Sequence, residues 1–230
     1  GSTHPQELSR VVREQHLDMG FAFDGDADRC IAVDERGQIV DGAAILYAAG
    51  VHMKREGSLR GGIVSTVMAN EGLTEALARE EIPLMRTPVG DKYVYAEMTE
   101  RGWCLGGEPS GHVIFSKYQT TGDGLLTALE VLRVMLEEEK PLSALVAPYV
   151  PYPEAQVNVR VPSPGEIVCR PAVTEAVRAA EAALEGSGRV LVRASGTEPV
   201  VRILVEARET LLARRLADRI EAIVKEEGRR

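Results

Sequence analysis

Phe21-Ala22-Phe23-Asp24-Gly25-Asp26-Ala27-Asp28-Arg29-Cys30-Ile31-Ala32-Val33 sets two short apolar runs around a tip with an aspartate at every second position. The flanks favour β structure and the tip favours a turn, so the stretch reads as strand, acidic loop, strand. In an extended segment the side chains at i, i+2 and i+4 point the same way, which lets Asp24, Asp26 and Asp28 converge. Three like charges held together repel unless a cation sits among them. An all-oxygen donor set on a tight loop suits a hard divalent ion, and Mg²⁺ is expected ahead of Ca²⁺ because three carboxylates leave positions for water and a phosphate oxygen. Arg29 follows directly, a permanent cation shaped to hold a phosphate oxygen.

A lone Asp-x-Asp between strands is ordinarily just a turn; the third aspartate and the arginine favour a metal site. The Ca²⁺ loop of EF-hands needs glycine at its sixth position and glutamate at its twelfth. Counted from Asp24, Arg29 stands at the sixth, so that pattern fails.

Further along, three stretches carry chemistry. Gly107-Glu108-Pro109-Ser110-Gly111-His112 brackets a carboxylate, a hydroxyl and an imidazole with glycines, whose permissive backbone allows close approach to a polar ligand. Glu108 can accept from sugar hydroxyls and Ser110 can donate or accept. His112 reads three ways: a proton carrier at a reacting hydroxyl, a phosphate ligand, or a structural histidine at the start of an apolar strand. In Thr87-Pro88-Val89-Gly90-Asp91-Lys92-Tyr93-Val94, Asp91 is expected to cap a helix and Lys92 to reach an anionic substrate. Arg193-Ala194-Ser195-Gly196-Thr197-Glu198-Pro199 lies between two strands. Its composition is that of a polar turn or, with Arg193, Ser195, Gly196 and Thr197 around one point, of an anion site. Arg202 is placed either to assist there or as a surface arginine.

Taken together and in this order, the acidic loop and these stretches, with Thr120-Thr121-Gly122-Asp123-Gly124 behind the second, resemble the α-D-phosphohexomutases. Four such loops in order do not recur by chance. The Val-Gly-Asp-Lys-Tyr and Thr-Thr-Gly-Asp-Gly segments are most similar to the bacterial branch acting on hexosamine phosphates; Pro109 departs from it, an amide residue being usual there. The resemblance implies a hexosamine phosphate substrate, Mg²⁺ at Asp24, Asp26 and Asp28, hexose hydroxyls gripped by Glu108 and Ser110, and the non-transferred phosphate clamped by the Arg193 loop. It implies catalytic roles for Arg29, Lys92 and His112. It covers the whole chain but only the carboxyl-terminal half of the family's length. The family's phosphate-carrying serine sits in a Thr-Ala-Ser-His-Asn-Pro-like loop that these 230 residues lack. The expected partners are therefore the missing amino-terminal domains, with a homodimer in the full-length protein, and the chain alone is expected to be inactive. The rival readings are a phosphomannomutase or phosphoglucomutase fragment and a non-catalytic sugar-phosphate-binding module.

Bulk properties fit a globular protein: 44% hydrophobic, 27% charged, net charge −8. That charge, with no basic cluster, argues against nucleic acid. No apolar run is long enough to span a bilayer and no secretory segment is visible, so a cytoplasmic location is expected. Cys30, Cys104 and Cys169 are far apart without metal-ligand spacing and read as buried thiols in a reducing compartment.

Thr3 and Pro5 signal a helix start, with Leu8, Val11 and Val12 on its apolar face. The fold class expected is α/β: a remnant of a second α/β domain over residues 1–40, a mixed-sheet α/β domain over 41–150, and a small α+β two-layer domain over 151–230. Pro141, Pro148, Pro151 and Pro153 mark a stiff linker.

Overall fold

The computed structural model describes residues 1–229, which divide into two compact units, residues 1–150 and 151–229. In the first unit, helix α1 (Gln6–Gln15) precedes a meander of β1 (Met19–Phe23), β2 (Cys30–Asp34) and β3 (Ile39–Val40), all antiparallel, with Phe23 opposite Cys30 across the acidic tip. Thr3 does not cap α1. Pro5 takes the cap position and offers no side-chain acceptor, which is a correction to the sequence expectation.

The chain then alternates as α2 (Gly42–Arg55), β4 (Ile63–Thr66), α3 (Glu71–Arg79), β5 (Leu84–Thr87), α4 (Asp91–Arg101), β6 (Leu105–Gly107), β7 (Val113–Phe115) and α5 (Gly124–Glu138). The sheet order is β5-β4-β6-β7, with β4 parallel to both neighbours and β7 antiparallel to β6. Mixed pairing with helical crossovers is the arrangement that buries both faces of a short apolar sheet. Ile63, Leu73, Leu77 and Leu105 pack with α2 in the main core, while Val64, Val94, Met98 and Ile114 form a smaller core under α4. Aspartate and asparagine start the helices where the sequence places them: Asp41 accepts from the Ala44 N–H, Asn70 from Gly72 and Asp123 from Leu126, each at 2.9 Å. Asp91 is the exception. Gly90 is the cap of α4, and Asp91 is its first helical residue, where a carboxylate still suits the positive helix end.

The proline-rich stretch is not a bare linker. Pro141 initiates α6 (Leu142–Val146), whose Leu142 is fully buried in the main core.

The second unit runs β8 (Glu154–Arg160), α7 (Pro164–Ile167), α8 (Pro171–Leu184), β9 (Gly188–Ala194), β10 (Val200–Ala207) and α9 (Thr210–Glu227). Its sheet is antiparallel in the order β8-β10-β9. Val201, Ile203 and Val205 on one face of the central strand pack with Val173, Ala176, Ala217 and Ile220 of the two long helices, giving two layers. Cys30 and Cys104 are buried, but Cys169 is exposed, correcting the expectation of three buried thiols.

Candidate functional site

The acidic tip between β1 and β2 is a bend, not extended chain. Ala27 has a left-handed φ of 58°, a conformation that strains a residue with a Cβ and recurs at functional loops. Asp24, Asp26 and Asp28 nonetheless offer oxygen atoms all within 4.8 Å of one another. They converge through the turn rather than through strand alternation.

The donor set fits a divalent cation on two counts. All three donors are carboxylates, and Asp28 Oδ1 is buried with no hydrogen-bond partner among the described residues, a costly state that a cation would relieve. Burial pushes the Asp24 carboxyl up; the Arg29 N–H bonded to it at 3.2 Å and the Arg29 charge outweigh that, so Asp24 ionises below the usual aspartate range. The Arg29 guanidinium leans toward the trio, its Nε 3.4 Å from Asp24 Oδ2 and 3.7 Å from Asp28 Oδ1.

His112 lies behind this loop. The Gly122 N–H donates to its Nε2 at 2.9 Å, so the proton sits on Nδ1, which donates to Asp28 Oδ2 at 3.0 Å. The ring is buried with both nitrogens engaged. Both ring nitrogens of His112 are thus used within the adjoining loops, and Nδ1 holds Asp28 in place.

The loop with Glu108 and Ser110 is sewn to the acidic tip. The Cys30 N–H donates to Gly111 O at 3.0 Å and the Gly42 N–H to Pro109 O at 3.1 Å. A Cβ on Gly111, which has a φ of +96°, would lie 2.4 Å from Cys30 O, so glycine is required there. The Gly124 N–H donates to Ala27 O at 2.8 Å, bringing the start of α5 against the same tip. Glu108 Oε1 accepts the Gly90 N–H at 3.1 Å, tying this loop to the start of α4. Lys92, in the first turn of α4, is exposed and lies over the Tyr93 ring at 4.9 Å. Ser110 is exposed. One unit therefore gathers Asp24, Asp26, Asp28, Arg29, His112 and Glu108 through contacts between adjoining loops.

In the second unit, Ser195, Gly196 and Thr197 occupy the turn between β9 and β10. Arg202 and Arg193 are direct cross-strand partners, a like-charge pair that is unfavourable without an anion or acid nearby. Arg202 Nη2 bonds Glu198 Oε2 at 2.9 Å and reaches Ser195 Oγ at 3.5 Å, while its buried Nε has no partner among the described residues.

A second group of metal-capable side chains, His52, Glu56 and Glu137, lies at the carboxyl end of α2 and on α5. Arg133 fills its centre, with Nη1 3.2 Å from His52 Nε2, 3.1 Å from Glu56 Oε2 and 2.8 Å from Glu137 Oε2. It is an ion-pair network.

Comparison with known proteins extends over nearly the whole chain. The description "Phosphoglucomutase/phosphomannomutase, alpha/beta/alpha domain III" matches residues 41–152, the C-terminal domain of the same set matches 157–223, and alpha/beta/alpha domain II matches 2–37. The phosphoglucosamine mutases of Lachnospira eligens and Lachnoclostridium phytofermentans are 50% and 47% identical over 229 residues, which is 99% of this chain and 51% of each relative. The chain spans about half the length of the curated relatives it matches. Among solved structures, Aspergillus fumigatus N-acetylphosphoglucosamine mutase in complex with GlcNAc-6P and magnesium shares the fold, with a TM-score of 0.78 at 24% identity over 92% of this chain and 49% of that one.

Proposed function

The chain belongs to the phosphoglucomutase/phosphomannomutase family of phosphohexomutases, and from that premise we propose that it is the carboxyl-terminal half of a phosphoglucosamine mutase, which interconverts glucosamine 6-phosphate and glucosamine 1-phosphate. One observation carries the proposal: three carboxylates converge on a tip bonded directly to the loop that presents Glu108 and Ser110. That juxtaposition suits a cation and a sugar hydroxyl side by side.

In this scheme Asp24, Asp26 and Asp28 hold Mg²⁺, which when bound neutralises charge on the phosphoryl group in transit. His112 keeps Asp28 aimed. Glu108 accepts from hexose hydroxyls and Ser110 exchanges hydrogen bonds with them, while Arg29 and Lys92 supply positive charge beside the transferring phosphate. Arg193 and Arg202, with Ser195, the backbone at Gly196, and Thr197, clamp the phosphate that stays. An anion between the two arginines relieves their cross-strand repulsion and gives the Arg202 Nε an acceptor. The phosphoryl-carrying serine and the bisphosphate intermediate belong to a protein about twice this length. Within it residues 1–40, 41–150 and 151–230 form the end of the second domain, the third and the fourth. Such a reaction supplies amino sugar for peptidoglycan precursors in the cytoplasm.

Calorimetric titration with Mg²⁺ tests the site. A single site is expected in the chain, weakened at least tenfold in Asp26→Asn, a variant at an exposed position that leaves the fold intact. Equal affinity in the two would remove the acidic tip from the proposed chemistry.

A further inference from the structure

Thr120-Thr121-Gly122-Asp123-Gly124 leads into α5 and brings no open carboxylate to the site: Asp123 caps the helix, with Oδ1 taken by the Leu126 N–H at 2.9 Å. The stretch instead holds the acidic tip from two sides. Gly122 acts through His112. Its N–H donates to Nε2 at 2.9 Å, and the opposite nitrogen, Nδ1, holds Asp28 Oδ2 at 3.0 Å. The ring lies so close to Gly122 that an added Cβ would stand 2.6 Å from Nε2 and Cε1 and 2.7 Å from Cδ2. A side chain at position 122 would displace the ring and, with it, the bond to Asp28.

Gly124 acts directly. The first N–H groups of a helix have no partner inside it, and the Gly124 N–H, the first of α5, goes to Ala27 O at 2.8 Å. That carbonyl belongs to the residue held at a left-handed φ of 58°, a conformation that persists only where its surroundings impose it. A Cβ on Gly124 would lie 2.8 Å from Ala27 O and 2.6 Å from Arg29 O, so the backbone of the tip would have to shift. Ala27 and Arg29 flank Asp28. Gly122 and Gly124 therefore hold Asp28 by its side chain and by the backbone on either side of it. The oxygen they leave over, Asp28 Oδ1, is the buried one with no hydrogen-bond partner among the described residues.

We propose that Gly122 and Gly124 are positioning residues of the cation site, which keep Asp28 Oδ1 directed at the ion through close approaches that only glycine allows. The proposal rests on the reading of the acidic tip as a Mg²⁺ site. Coupling of this kind is reciprocal: a segment that favours the bound ion is itself stabilised by the ion.

The probe is Mg²⁺ alone, titrated into the chain by calorimetry and followed by amide hydrogen exchange. Gly122→Ala and Gly124→Ala should each weaken Mg²⁺ binding ten- to a hundredfold, the range that follows loss of an outer partner of a metal ligand. Gly165→Ala, in α7, where an added Cβ meets nothing within 4 Å, should bind as the parent does. In the parent, saturating Mg²⁺ should slow exchange of the Gly122 and Gly124 amides at least tenfold, a response that glycines with a merely structural role would not give. The proposal is overturned if either variant folds and binds Mg²⁺ with the parent's affinity, or if Mg²⁺ leaves exchange at both amides unchanged. Should neither variant fold, the exchange measurement on the parent decides alone. Variants that bind like the parent leave the cation reading standing, whereas a parent chain that binds no Mg²⁺ overturns that reading and the proposal with it.

Discussion

At the scale of single residues, the contact that the sequence conveys least is that of His112. Its partner Asp28 is 84 positions away, and a contact so distant leaves no local pattern in the chain. In the proposed cation site the ring's hydrogen bonds position Asp28, and His112→Gln is expected to weaken Mg²⁺ affinity ten- to a hundredfold with little change in thermal stability. Calorimetry alongside a melting curve checks both, and a variant with unchanged affinity would return His112 to a purely structural role. The closeness of the three aspartates is legible, since carboxylates at alternate positions of a short tip between apolar runs are brought together by either an extended or a bent backbone. Their convergence was expected from an extended segment and is achieved by a bend with Ala27 at positive φ. The thiols divide by environment. Burial pushes the Cys30 thiol up to about 12, whereas Cys169 is exposed. A thiol reagent at pH 8 should modify Cys169 fast and Cys30 only on unfolding; rapid labelling of Cys30 in the native chain would contradict its placement.

At the scale of elements, the hairpin that carries the acidic tip is braced from outside. The Ser143 hydroxyl on α6 donates to Glu35 Oε1, and the Ser143 N–H reaches Oε2 at 3.4 Å. Burial pushes the Glu35 carboxyl up, but these bonds and the Arg36 charge prevail and hold it below the usual range. A carboxylate with a depressed folded value contributes stability that is complete above the ordinary glutamate pKa of about 4.3 and is lost as the pH falls through the folded value. Glu35→Gln should therefore cost about 1–2 kcal/mol at pH 7, with the difference closing below about pH 4. Parallel denaturant melts of the two proteins at pH 7 and pH 3.5 check it, and a constant difference would contradict the ion's role. The sequence hides this brace because the prolines around α6 imitate a linker. Pro141 instead serves as the residue before a first helical turn, and Leu142 is drawn into the core by burial that local composition does not reveal. The α/β alternation of residues 41–150 is legible because apolar periodicity marks its helices and strands, although the cap expected at Asp91 falls on Gly90. α7, at four residues, is too short to carry a period.

At the scale of the whole molecule, the chain consists of two compact units, with the carboxylate and Glu108 loops on the first and the Arg193 loop on the second. The mixed α/β class was readable from strand–helix alternation, and family membership from four loops in order. What the sequence could not convey is how tightly loops distant in the chain are bonded within the first unit, since glycines 42, 111 and 124 reveal their purpose only when the backbones that approach them are seen. Among the described residues no helix is long and apolar enough to cross a membrane. The decisive measurement is of turnover with a hexose bisphosphate primer, comparing the full-length protein with this chain on glucosamine, glucose and mannose 6-phosphates. The full-length protein should convert the glucosamine phosphate at least tenfold faster than the other two while the chain alone converts none; preference for glucose or mannose, or turnover by the chain alone, would contradict the assignment.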